Sequence, residues 1–275
     1  MHARLFLISL ALSSAACTQS PVVSEGQGEA PVVFARAVQG DDNPAQADPV
    51  DFEDNAEDGP ARRAFAYSWP AEVSAIPALA SQLAIQRDEA LAKQKSDWQE
   101  ARITFAGEDC ATCVNLGFER EWKVVADIPG WLSLSSDLYL YTGGAHGTYG
   151  RSSLLWDREN GEGVRGIDMF ESAVALENAL GAKLCDALDR EREKRRGTKV
   201  DRASGDVFTD CPGLDEASVF IGSSDGLRFD RIGIYFGPYV AGSFAEGAFE
   251  LDFPVTASVL DAVKPAYADA FRVRG

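Results

Sequence analysis

The chain has 275 residues, 45% of them hydrophobic, with 43 acidic against 26 basic residues and a net charge of −17. That length suits one large domain or two small lobes. The acidity argues against nucleic acid and anionic lipid headgroups as partners, since both require positive charge, and it allows a cationic one.

Residues 1–4 carry one positive charge, residues 5–12 are apolar, and Ser13-Ser14-Ala15-Ala16 lead into Cys17. The apolar run falls well short of the roughly 20 residues needed to span a bilayer. It reads as a cleaved export signal. A Cys directly after small residues is where a lipoprotein signal peptidase would cut, leaving Cys17 as the acylated first residue. Ser14 stands where Leu is usual, and the alternative is an ordinary signal peptide cut at Ala16. Either way the expected location is exported, in the periplasm or cell envelope, held to a membrane through the lipid alone.

Residues 18–60 hold ten acidic residues against one arginine, Arg36, a net of −9. Such a segment buries too little apolar surface to offset its ordering entropy, so the expectation is a disordered tether. The body follows, as an N-terminal lobe over 61–160 and a C-terminal lobe over 161–275.

In the body, Ile76, Leu79, Leu83 and Leu91 among polar residues predict a helix near 74–100. Residues 131–134 and 138–141 read as strands. A Gly-rich corner at 142–147 follows, then a hairpin with one strand over 151–157, a turn at 158–161 and a strand towards Ile167. Leu176, Leu180, Leu184 and Leu188 recur every fourth residue and predict one long amphipathic helix over 171–196. Its last turns are cationic, as suits a helix C-terminus, and Gly197 stops it. Strands are expected at 219–221, 228–235 and 248–253, with a short helix at 256–263 ended by Pro265. No regular βαβ rhythm is apparent. The fold class is therefore α+β: a two-lobed body with mostly antiparallel sheet.

Four cysteines remain after Cys17: Cys110, Cys113, Cys185 and Cys211. An even count in an oxidising compartment favours two disulfides, Cys110–Cys113 and Cys185–Cys211, over a redox-active Cys-x-x-Cys or a four-Cys zinc site. His2 leaves with the signal, so His146 is the single imidazole of the mature chain. This excludes metal sites needing two histidines. A Ser-His-Asp triad with Ser152, Ser153 and Asp157 is conceivable, but no Gly-x-Ser-x-Gly elbow accompanies it. His146 reads better as a backbone-bonding residue of a tight corner. Carboxylate pairs such as Asp225 with Asp230 and Glu246 with Glu250 carry little information in so acidic a chain. No cofactor and no metal are expected, since no phosphate-cradling or dinucleotide motif is present.

The string Tyr141-Thr142-Gly143-Gly144-Ala145-His146-Gly147, with Trp156-Asp157, Gly161 and Asp168-Met169-Phe170 downstream, resembles the extracytoplasmic domain of RsiV-type anti-sigma factors. That domain also occurs on PdaC-type peptidoglycan deacetylases and on envelope lipoproteins. Phe236-Gly237-Pro238-Tyr239-Val240-Ala241-Gly242, Glu246-Gly247 and Phe253-Pro254 fit its second block, so the resemblance spans about residues 64–265. It implies a two-lobed α+β domain without catalytic residues, which in RsiV-type proteins senses lysozyme by binding it. The segment that binds a sigma factor and the deacetylase domain are not read here. The family motif residues Gly143, Gly144, His146, Gly147, Trp156, Asp157, Pro238 and Tyr239 are thus expected to be structural or binding residues. The functional expectation is a non-enzymatic envelope module binding a cationic protein such as lysozyme, or peptidoglycan. The alternatives are an envelope hydrolase using His146 and a purely structural lipoprotein.

Overall fold

The computed structural model describes residues 47–274. The export signal, Cys17 and the tether up to residue 46 lie outside the described residues. The described residues hold two sheets. The first contains β1 (Val50–Glu53), β2 (Ala56–Asp58), β3 (Ala61–Trp69), β4 (Leu116–Ile128), β5 (Trp131–Tyr141), β6 (Thr148–Asp157) and β7 (Glu162–Val164), in the order β1-β3-β4-β5-β6-β7, with β2 also paired to β3. The second contains β8 (Ala217–Gly222), β9 (Arg231–Phe236) and β10 (Phe249–Pro254), in the order β10-β9-β8. Every pairing is antiparallel except β3 with β4. A parallel neighbour needs a long crossover. After the short α1 (Ala71–Ser74), α2 (Pro77–Thr104) supplies it, giving a single βαβ unit that the sequence pattern did not reveal.

One face of the first sheet is closed by α2. Phe65, Tyr67 and Trp69 alternate inward along β3, as period 2 dictates. They join Trp122, Leu132, Leu134 and Trp156 beneath Leu79 and Leu83 of the helix. A register shift between Val124 and Ala126 turns the end of β4 over, so that Ala126 and Ile128 face the other way. There they meet the core of the second sheet, together with Leu155. The two lobes therefore share apolar surface, and the described residues fall in one compact unit.

The tether expectation is corrected for residues 50–58, which form β1 and β2 on β3. Here Asp54, Glu57 and Asp58 pair with cations of the body and do not form a solvated spacer. Asp54 pairs with the buried Arg63 and, at 2.7 Å, with Lys95. Arg63 also donates to Gln94 at 3.2 Å, and Phe52 stacks edge-on against Phe65.

The expected long helix is two helices, α3 (Ala173–Leu180) and α4 (Ala182–Arg196), broken at Gly181. Gly181 has φ 58° and ψ −146°, backbone open essentially to glycine alone. The leucine ridge survives the break, for Leu176, Leu180, Leu184 and Leu188 are all buried in the second core. Ser172 caps α3 by accepting from the Ala175 amide, and Gly197 ends α4 in the left-handed conformation. The short helix α5 (Ala257–Asp261) and a 3-10 turn from Pro265 close the chain over Phe170, Phe229 and Phe271. Both expected disulfides form, with Cα separations of 5.3 Å for Cys110–Cys113 and 5.5 Å for Cys185–Cys211. No helix among the described residues is long and apolar enough to cross a membrane.

Candidate functional site

Among the described residues, β8 crosses the face of the first sheet opposite α2, against β4, β5 and β6. On the remainder, alternate residues of three strands form cross-strand rungs. Glu119 of β4 lies beside Tyr139 of β5, which lies beside Tyr149 of β6. The next rung is Glu121, Asp137 and Arg151. From the second sheet, the paired Tyr235 and Glu250 close the other side. Together they bound a cleft of about 450 Å³. A shallower trough of about 730 Å³, bordered by Asp51, Glu53, Glu119 and Glu121, continues along the same face.

Like charges on one rung repel, and two cations hold Glu121 and Asp137 together. Lys123 Nζ reaches Glu121 at 2.7 Å and Asp137 at 2.9 Å. Arg151 reaches Asp137 at 2.5 Å and Glu250 at 2.9 Å, tying the two sheets across the cleft. Ser218 Oγ donates to the Arg151 carbonyl at 2.5 Å on the same boundary. Burial would raise the Asp137 carboxyl, but hydrogen bonds from Lys123 and Arg151 outweigh it and hold the group below its ordinary value. The Glu121 hydrogen bond, then that of Asp137, raises the Lys123 ammonium. Glu119 makes no ion pair among the described residues. Four lining carboxylates against the lining Arg151 and the bridging Lys123 leave the site with two negative charges.

Tyr235 is only 6% exposed, and the Arg151 guanidinium sits 5.5 Å from its ring centre. Burial, then the nearby Tyr149, pushes its phenol up to about 12. Tyr139 and Tyr149 are exposed at the rim.

The structure brings the two resemblance blocks together at this rim. The His146 ring stacks on Phe244, centroids 4.1 Å apart, while Tyr239 and Tyr149 pack on the same phenyl at 5.6 and 5.8 Å. His146 Nδ1 donates to the Gly147 carbonyl at 2.8 Å, and Tyr141 donates its hydroxyl to Gly144 at 2.9 Å. A side chain at Gly147 would lie 2.5 Å from the Tyr139 ring, and one at Gly143 would lie 3.0 Å from the Thr112 carbonyl. The corner thus needs Gly143 for a positive φ and a close approach, and Gly144 for its φ of 91° alone. Tyr239, beside Pro238, holds a positive φ of 68° with its ring exposed. Behind the turn, Ser243 and Glu246 form a capping box, and Arg196 of α4 grips Glu246 at 2.6 Å.

Other expected site residues lie apart. Trp156 is in the core under α2, and Asp157 caps its turn through the Glu159 and Asn160 amides. Ser152 bonds Ser136 and Ser153 accepts from Gly166, so neither serine nor Asp157 reaches His146 and no triad is assembled. Asp230 is buried against Ser224 and Arg272, away from any cleft chemistry. Phe244 and the cleft residues Glu119, Glu121, Asp137, Tyr139, Tyr149, Arg151 and Tyr235 were not singled out from the sequence. Their signal was the period-2 alternation of charge and tyrosine in β4 to β6, which becomes a site only once the register is known.

No family profile matches the chain, and no curated protein matches it either. Among solved structures it is similar to two DUF3298-family proteins. One, from Pseudomonas aeruginosa PAO1, has 16% identity over 83% of this chain and 98% of its own, with a TM-score of 0.44. The other, from Bacteroides fragilis NCTC 9343, has 15% identity over 81% of this chain and 95% of its own, with a TM-score of 0.49.

Proposed function

We propose that the protein is a non-enzymatic binding module of the cell envelope whose partner is a cationic protein, lysozyme being the type suggested by the RsiV-like motif blocks. The observation that carries this reading is the open acidic face: one tyrosine-lined cleft and its adjoining trough, bordered by carboxylates that outnumber the cations. Such a surface attracts a basic partner and steers its approach. The two disulfides suit an oxidising compartment. Export and lipidation at Cys17 belong to the same reading. Metabolic labelling with a palmitate analogue should mark the wild-type chain and not Cys17→Ser.

The test is calorimetry of the full chain, disulfides intact, against lysozyme at low and high salt. Saturable binding that weakens as salt shortens the Debye length from about 30 Å at 0.01 M to about 8 Å at 0.15 M is the expected result. No binding at either salt, checked by a second method, removes lysozyme as the partner. Binding to isolated peptidoglycan with no salt dependence would replace the cationic protein with the wall itself.

A further inference from the structure

We propose that the cleft beside Tyr235 is a pocket for a single arginine side chain of the partner, with Glu119 as counter-ion and the rings of Tyr139, Tyr149 and Tyr235 as walls. This deepens the cationic-partner reading and rests on it. Three independent observations converge on the pocket.

The first is an unpartnered hydroxyl, on an otherwise buried side chain, that opens on the cleft. Tyr235 is 6% exposed and lines the cleft, yet its hydroxyl makes no hydrogen bond among the described residues. A tyrosine with a buried ring ordinarily directs its hydroxyl to a protein partner or to water, and here only the cleft side is open to it. The buried tyrosine nearest to it in kind, Tyr67, is satisfied by the Trp122 indole at 3.0 Å. A ligand donor entering the cleft would complete Tyr235.

The second is an uncompensated charge. Glu121, Asp137 and Glu250 each have a resident cation, whereas Glu119 on the adjoining rung has none among the described residues. Its rung neighbours are Tyr139 on β5 and Ala66 on β3, with Tyr149 one strand beyond Tyr139, so the free carboxylate has an aromatic ring on the side that faces the cleft. A guanidinium matches both features: its planar fork pairs with a carboxylate while its face stacks on a ring. Lysine offers only a point charge.

The third is that the cleft already uses this chemistry. Arg151 lies 5.5 Å from the Tyr235 ring centre while bridging Asp137 and Glu250. The incoming arginine would repeat that arrangement on the next rung. A volume of about 450 Å³ holds one such side chain and lies at the small end of ligand sites.

The experiment titrates the full chain by NMR with N-acetyl-arginine methylamide, its uncharged isostere N-acetyl-citrulline methylamide, and N-acetylglucosamine. The arginine derivative should bind saturably and at least about ten-fold more tightly than the citrulline one, a ratio worth about 1.4 kcal/mol. Glu119→Gln, at an exposed position, should abolish that preference. Tyr235→Phe keeps the ring and should weaken the arginine derivative about three- to ten-fold, as loss of one hydrogen bond implies. An unchanged thermal midpoint confirms that each variant is folded. Equal binding of arginine and citrulline derivatives, indifference to both substitutions, or preferential binding of the sugar would each overturn the pocket. Salt-sensitive lysozyme binding with no response to the arginine derivative overturns the pocket and leaves the cationic-partner reading standing. A response to the arginine derivative without lysozyme binding keeps the pocket and removes that partner. Silence from both removes both.

Discussion

Arg192 shows how much of this fold is carried by buried charge. Its side chain is fully buried, donating Nε to the Ala241 carbonyl at 2.9 Å and Nη1 to Asp189 and Thr209. It thereby fixes the loop that follows Pro238 and Tyr239 against α4. Removing it takes this donor from the Ala241 and Thr209 carbonyls, leaves Asp189 to Arg202 alone, and opens a void where the guanidinium was. Arg192→Leu should destabilise the chain by about 3 kcal/mol, read as a lower midpoint in denaturant at unchanged slope. Asp230 gives a pH dependence of known sign. Burial pushes its carboxyl up, but hydrogen bonds from Ser224 and then Arg272 outweigh it, so the folded value lies below 3.8. A depressed carboxylate contributes stability that is complete above its unfolded value and is lost as pH falls through the folded one. Stability should therefore drop below about pH 4, and Asp230→Asn should be less stable at pH 6 yet show a flatter acid limb. None of these partners was legible beforehand. Arg192 read as one of a run of cations ending a helix, and only the packing shows that it turns inward.

At the scale of elements, periodicity was informative wherever one face of a segment is apolar. The leucine ridge of α3 and α4 and the alternation in β3 are of that kind. Gly181 was not legible as a break, because leucines spaced by four run straight through it and both flanking leucines are buried. Gly181→Ala should cost about 1–3 kcal/mol from backbone strain alone, since an added Cβ would meet only the Asn178 carbonyl at 3.9 Å. The α2 helix was legible as a helix but not as the crossover of a parallel pair, for a sequence does not show which strands its ends join. The disulfides follow from cysteine count and compartment, and their weights follow from the loops they close. By loop entropy, Cys185–Cys211, 26 residues apart, is worth about 3.5 kcal/mol and Cys110–Cys113, 3 apart, about 1.6. Replacing each pair by serine should order the thermal midpoints accordingly; a larger loss from the shorter loop would contradict this account.

For the molecule as a whole, the boundary between tether and body decides both stability and binding. Composition alone placed it at residue 60, because an acidic stretch with few apolar residues resembles a spacer. The boundary lies earlier because Asp54, Phe52 and Val50 find partners only in the folded body: a buried arginine, a lysine on α2 and the edge of β3. The cleft escaped a sequence reading for the same reason. It joins rungs of β4, β5 and β6 to a tyrosine of β9 more than eighty residues further on, and no local pattern encodes that meeting. A chain lacking residues 1–46 keeps every contact described above and serves as the reference. Deleting 1–60 strips β1 and β2, exposes Phe65 and leaves Arg63 buried without its carboxylate, at a cost of about 3 kcal/mol, or roughly 6–12 °C in the midpoint. The same deletion removes Asp51 and Glu53 from the acidic trough while leaving the Tyr235 cleft in place. If the face acts as one surface, the longer deletion should weaken lysozyme binding and flatten its salt dependence, yet leave the arginine derivative bound as before. Equal lysozyme affinity in the two truncated chains would mean that the trough contributes nothing and that the cleft alone makes the contact.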